Sequence, residues 1–162
     1  MINWRSKGQN RKGYFNVELI KPIAPVFFDN KKKIASIVSA SSILKILLPE
    51  GQSNKNIYSS YEKLLNNLNS ENWISCYILW EISLIKDLGY EISTYKDKNI
   101  IQVNGKSLQV PDIILNNEIK PISDKDIKNA LIFNKNLFME NFIIPNKLNF
   151  PLFRNILERY YN

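Results

Sequence analysis

From Lys33 to Leu48 the apolar residues Ile34, Ile37, Val38, Leu44, Leu47 and Leu48 recur at spacings of three and four, with Ser41 as a small spacer. That period stacks side chains on one face of a helix, so the pattern predicts an amphipathic helix ended by Pro49 and Gly51. A second helix is predicted from Asn56 to Asn69, where Ile57, Tyr58, Tyr61, Leu64, Leu65 and Leu68 form a stripe opposite Glu62, Lys63 and Asn66. Ser70 is placed to cap a third, and Trp73, Ile74, Tyr77, Ile78, Leu84, Ile85 and Leu88 carry it to Gly89, a natural residue just past a helix end. Trp80 and Ile82 add apolar surface on its other sides, which predicts that this helix is the central one.

The period changes further along. Ile100, Ile101 and Val103, then Asn104-Gly105, then Leu108 and Val110 read as two short strands around a strong turn dipeptide, hence a small hairpin that must lean on the helices. After Pro121, Ser123 and Asp126 have the spacing of a capping box, and Ile127, Ala130, Leu131, Leu137, Phe138 and Phe142 supply the face of a helix or helix pair. Pro151 at a first turn, followed by Leu152, Phe153, Ile156 and Leu157, predicts a last helix to Tyr161. Residues 1–30 contain a single strand-like run, Tyr14 to Ile20. The expected fold is mainly α: a compact helical domain of about five or six helices with one small β-hairpin over residues 31–162, preceded by a short irregular basic segment.

Within the third helix Glu81 lies between Trp80 and Ile82. An ionised carboxylate on so apolar an element is costly without a partner. Glu81 is therefore expected to be a structural buried carboxylate, bonded to a neighbouring backbone group or a lysine. Cys76, among Trp73, Tyr77 and Trp80, reads as a buried small hydrophobe rather than a reactive thiol.

Composition narrows the chemistry. The 162 residues contain no histidine and one cysteine, which removes intramolecular disulfides, a Cys/His zinc site and Ser-His or Cys-His nucleophile pairs. The five glycines, at 8, 13, 51, 89 and 105, form neither a phosphate loop nor a dinucleotide fingerprint. Asp124 and Asp126 read as helix-start charges, while Asp97 and Asp112 flank turns. No catalytic residue, metal or cofactor is expected. The remaining enzymatic reading would pair Glu81 with another carboxylate in a cleft. The apolar runs are far shorter than the ~20 residues that span a bilayer, and Met1 to Lys12 is polar, so the expected location is cytoplasmic with no membrane partner.

The net charge is +7, and eighteen of the 22 cations are lysine in a chain rich in Asn and Ile, the bias of an AT-rich coding sequence. Placement says more than the total. Residues 1–33 carry eight cations and two anions. Arg5, Lys7, Arg11, Lys12, Lys31, Lys32 and Lys33 are accordingly the candidate DNA-binding residues, able to contact phosphates in a salt-dependent way. Trp4, Tyr14 and Phe15 nearby are of the kind that stacks on bases, or packs a core.

Several segments together resemble the RecO family of bacterial recombination-mediator DNA repair proteins. The opening Met1-Ile2-Asn3-Trp4-Arg5 with Gly8 is similar to the family's start, and Gly13-Tyr14-Phe15-Asn16-Val17-Glu18-Leu19 to the end of its N-terminal barrel. Leu48-Pro49-Glu50 and Tyr58 match the linker between its first helices. Tyr77, Trp80-Glu81, Leu84, Leu88-Gly89-Tyr90 and Ile92 follow the pattern of a family helix ending in Leu-Gly-aromatic. Val110-Pro111, Ala130-Leu131, Leu137-Phe138 and Pro151-Leu152-Phe153-Arg154 fall in the expected order.

The resemblance implies a five-stranded oligonucleotide-binding barrel before the helical domain. Residues 1–30 leave room for only a remnant of it, and residues 31–162 correspond to the helical C-terminal domain. The cysteines with which some members hold zinc are absent after the Leu-Gly-aromatic segment, where Tyr95, Lys96 and Asp97 stand. Membership implies nucleoid-associated work without covalent chemistry. The implied partners are single-stranded DNA, the C-terminal tail of the single-strand-binding protein and RecR, and the implied outcome is recombinase loading or strand annealing. An adaptor that has lost DNA binding is the competing expectation.

Overall fold

The computed structural model describes residues 2–6, 13–19, 22–90 and 99–161. Strands β1 (Ile2–Ser6) and β2 (Gly13–Val17) pair antiparallel, with Ile2 opposite Val17 and Arg5 opposite Tyr14. The front of the chain is thus more regular than the irregular segment expected. Ile2 and Trp4 alternate with Asn3 and Arg5, a period-two pattern too short to stand out without the partner strand that completes it.

A 3-10 turn (Ala24–Phe27) leads into α1 (Lys31–Leu47), whose first turn is closed by Asn30: its side chain accepts from the Lys33 N–H at 3.1 Å. The most buried face of α1 is not the predicted aliphatic stripe. It consists of Ala35, Ser36, Ser39, Ala40 and Ile43, with Ile34, Ile37, Leu44 and Leu47 half-buried at its sides. Small side chains let a second helix lie close. The two hydroxyls are satisfied, Ser36 donating to the Lys33 carbonyl at 2.7 Å and Ser39 sharing a 2.7 Å bond with the Tyr77 hydroxyl.

Helix α2 (Lys55–Asn67) packs on α3 (Trp73–Asp87) through Ile57, Leu64 and the following Leu68. Tyr58, counted in its stripe, is instead 69% exposed. Ser70 does not cap α3. Its hydroxyl donates to the Asn67 carbonyl at 2.8 Å and closes the end of α2, and Asn72 takes the position before α3. As predicted, α3 is the central element, with Tyr77, Ile78, Leu84 and Ile85 fully enclosed. It ends where Gly89 takes φ +93°, a conformation that a Cβ disfavours.

Strands β3 (Ile100–Val103) and β4 (Lys106–Gln109) form the predicted hairpin, and both turn residues, Asn104 and Gly105, have positive φ, as a two-residue hairpin turn requires. Ile101 and Val110 anchor it in the core. At its tip Asn104 Nδ2 donates to the Glu140 carbonyl at 2.8 Å, and Lys106 pairs with the Glu140 carboxylate.

A short α4 (Asp112–Asn116), not predicted, follows directly and buries Ile113. Helix α5 (Asp124–Phe138) begins with Ser123 accepting from the Asp126 N–H at 3.2 Å while donating to the Asp126 carboxylate at 2.7 Å. It widens into a π-helical turn (Met139–Ile143). Finally α6 (Leu152–Arg159), opened by Pro151, lies along α1 and turns Arg154, Leu157 and Tyr161 inward. The described residues thus form six helices and two small hairpins, a mainly α fold.

Candidate nucleic-acid interface

The geometry at the front of α1 depends on how α6 is held. Arg154, on α6, is fully buried and meets Glu81, on α3 and equally buried, through two bonds: Nε to Oε1 at 2.5 Å and Nη2 to Oε2 at 3.1 Å. The same carboxylate accepts from the Tyr77 hydroxyl at 2.8 Å and from Asn134 Nδ2 at 3.0 Å. Arg154 Nη2 also donates to the Leu131 carbonyl at 2.8 Å, and Asn134 Nδ2 to the Ile78 carbonyl at 3.0 Å. Helices α3, α5 and α6 are joined in one network, and Ser39 on α1 enters it through Tyr77.

Burial opposes the charge on Arg154, but Glu81 and Tyr77 beside it outweigh that and hold the guanidinium above its ordinary pKa. Burial, reinforced by Glu81, pushes the Tyr77 phenol well above its usual value, so it stays a donor. Glu81 is therefore bonded to an arginine, a tyrosine and an asparagine, not to the backbone group or lysine expected for it. It does not line the 700 Å³ cleft that the described residues form between β4 and α5. Among the described residues no group of three or more Cys, Asp or Glu side chains converges as a metal would need, and no helix is long and apolar enough to cross a membrane.

Two turns beyond Arg154 the chain delivers Tyr161, buried, beneath the start of α1. Lys32 Nζ lies 4.3 Å from the centre of its ring, and Lys33 Nζ lies 5.3 Å from the centre of the Phe27 ring. Cations over aromatic faces are attracted by the ring quadrupole, which restrains long side chains that would otherwise sample many rotamers. Lys31 is exposed beside them, and Val26 and Phe28 are exposed just before, at 66% and 68%. Three cations occupy the first turn of a helix that has no acidic residue there. Cations are disfavoured at that positive end of the helix dipole, so this end of α1 gains from an anion.

Of the other candidate residues, Arg5 is exposed on β1, in a separate two-stranded sheet. Lys7, Arg11 and Lys12 lie outside the described residues. Sequence reasoning missed Arg154, Phe27, Phe28 and Tyr161 as contributors. The period of Arg154, Leu157 and Tyr161 is readable as one inward face, but an arginine in it looks like a break.

Residues 30–100 match the family model described as the recombination protein O C terminal. Over this stretch the chain is similar to the C-terminal part of RecO. The match begins at Asn30, the cap of α1, and runs through α2 and α3 to the first residue of β3, so it includes Lys31, Lys32, Lys33, Tyr77 and Glu81. A DNA repair protein RecO from Rickettsia rickettsii is 28% identical over 129 residues, 75% of this chain and 53% of its own length. One from Wolbachia pipientis subsp. Culex pipiens is 33% identical over 95 residues, 57% of this chain and 39% of its own. One from Roseobacter denitrificans is 27% identical over 113 residues, 65% of this chain and 47% of its own. The chain thus spans about half the length of these RecO relatives. No solved structure matches it.

Proposed function

We propose that the chain acts as a RecO-type DNA repair and recombination mediator, without covalent chemistry, and that the front of α1 contacts the phosphates of single-stranded DNA. The observation that carries this reading is the set of Lys31, Lys32 and Lys33 on the first turn of α1, two of their ammonium groups held over rings and no carboxylate within that turn. Phosphate contacts of this kind release counterions, so affinity falls as salt rises. Phe28, exposed two residues before the Asn30 cap, offers a ring on which a base can stack. Arg5, Lys7, Arg11 and Lys12 are further cations of the front segment, which we read as the barrel remnant.

Fluorescence anisotropy of the full chain with a labelled single-stranded oligonucleotide, across a salt series, tests the reading. Replacing Lys31, Lys32 and Lys33 together by alanine is expected to weaken binding and to flatten the salt slope by about 0.7 for each phosphate that no longer meets a lysine. Binding that is absent at every salt concentration, for the chain alone and with RecR, removes the DNA part.

A second reading has its own observation. Exposed Val26 and Phe28 beside three lysines also suit an acidic peptide that ends in an apolar residue, the chemistry of the single-strand-binding protein's tail. An adaptor of that kind binds the tail peptide with no affinity for DNA, so titrating the parent chain with the peptide and with the oligonucleotide separately distinguishes the two. The working location in either case is the cytoplasm, at the nucleoid.

A further inference from the structure

Strand β4 has one side without a partner strand: among the described residues it pairs with β3 alone. Val103 and Lys106 close the two-residue turn as a hydrogen-bonded pair, and Val110 N–H donates to the Asn99 carbonyl at 2.8 Å at the other end of the ladder. In an antiparallel pair the bonded residues alternate. Lys106, Leu108 and Val110 therefore spend their backbone groups on β3, and Ser107 and Gln109 turn their N–H and C=O groups away from it.

That side is one wall of the cleft of about 700 Å³, which runs from Ser107 to Pro111 along β4 and faces Asn129, Ile132, Phe133 and Asn136 on α5. An open strand edge is a template for another chain, and proteins commonly guard it with charge. Here the lysine on the strand, Lys106, is committed to Glu140, and Gln109 and Ser107 are neutral. The cleft also has chemical polarity. Asp112 and Asp126, the latter accepting from the Ser123 hydroxyl through one oxygen, stand at the end where α4 and α5 begin, and Lys120 on that rim is paired with Glu118 at 3.4 Å. On a chain of net charge +7 this is an acidic end.

We propose that the cleft between β4 and α5 binds an extended segment of a partner protein, which adds as a third strand beside β4. The segment pairs its backbone with Ser107 and Gln109, sets an apolar side chain against Ile132 and Phe133, and places a lysine or arginine at Asp112 and Asp126. Main-chain bonds to an edge supply affinity in such recognition, and the side-chain contacts supply selectivity. The surface is separate from the lysines at the start of α1, so this inference stands or falls independently of DNA binding.

The probe is an acetylated and amidated heptapeptide with lysine at both ends and valine and threonine alternating between them, so that either direction puts a cation at the acidic end. Titrated into the full chain and followed by amide NMR, it is expected to shift the Ser107 and Gln109 amides and slow their hydrogen exchange. Gln109→Pro removes one outward donor while sparing the β3 ladder and should weaken binding by up to about tenfold. N-methylating alternate peptide nitrogens, which leaves the protein untouched, should do the same, as should glutamate in place of the two lysines. Failure of the probe to bind, binding that leaves the Ser107 and Gln109 amides unprotected, or affinity indifferent to N-methylation overturns the proposal. Self-association of the chain that Gln109→Pro abolishes, with no peptide binding, makes the occupant a second copy and overturns it equally.

Discussion

Arg154 and Glu81 stand 73 residues apart and meet as a fully buried two-pronged ion pair. Desolvating two charges costs several kcal/mol per ion, and their attraction offsets that only when the remaining donors and acceptors are also satisfied. Tyr77, Asn134 and the Leu131 carbonyl provide most of that satisfaction, while Arg154 Nη1 makes no hydrogen bond and faces the Glu158 carboxylate at 3.6 Å. Arg154→Met or Glu81→Leu should each destabilise the fold by about 3 to 5 kcal/mol, because each strands a partner in the core. The double variant Glu81→Leu with Arg154→Met should lie much closer to the parent. Urea unfolding of the four proteins checks this, and strictly additive losses would falsify the pairing.

High pH attacks the same network from another group. Burial raises the Tyr77 phenol well above 10, and burial with Asp124 nearby raises that of Tyr161. In the unfolded chain both lose their protons near pH 10, while the folded chain keeps them. The folded state then binds more protons, so stability is complete below about pH 10 and declines as pH rises beyond it. Tyrosinate absorbance should show these two phenols ionising together with unfolding, not ahead of it. Early titration of all eight tyrosines would contradict the burial.

Ser123 supplies the cap of α5 in both directions, accepting from the Asp126 N–H and donating to its carboxylate. Ser123→Ala should cost about 1 kcal/mol, read as a lower melting temperature or urea midpoint. Ser70→Ala, the cap that the sequence suggested for α3, should leave the start of α3 intact, because its hydroxyl serves the end of α2. Amide exchange at Trp73 to Cys76 distinguishes the two.

Cys76 is half-buried and not enclosed as expected, and burial pushes its thiol above the ordinary value despite a hydrogen bond with Ser70 that pulls the other way. Because the thiolate is the reactive form, alkylation by iodoacetamide at pH 8 should be slower than for a free cysteine and should quicken as the pH passes 9. Fast labelling at pH 8 would place the thiol in a different environment.

The helices were legible because burial imposes a period on the residues that face inward. Lys33 to Leu48 and Trp73 to Gly89 announced themselves, and Pro151 and Asn104-Gly105 marked a boundary and a turn that the fold uses. What stayed hidden depends on distance in the sequence. Ser36, Ser39 and Ala40 carry little apolar signal, yet they form the closest-packed face of α1, because it is the neighbouring helix that makes small residues useful. Glu81 could be recognised as a group needing a partner, but nothing local names Arg154. The lysines at 31–33 were visible as charge, whereas the rings that hold two of them come from Phe27 and from Tyr161 at the far end of the chain.

The long reach of the Arg154 pair also sets an order of events during synthesis. Helices α1 to α3 emerge first, carrying a carboxylate whose guanidinium partner has not yet been made. A nascent chain ending before residue 154 can collapse but leaves the Glu81 carboxylate without its guanidinium, so burying the central helix then carries an uncompensated cost. Helix α6 emerges after α1 to α5, and the lysine front of α1 can acquire its Tyr161 support only then.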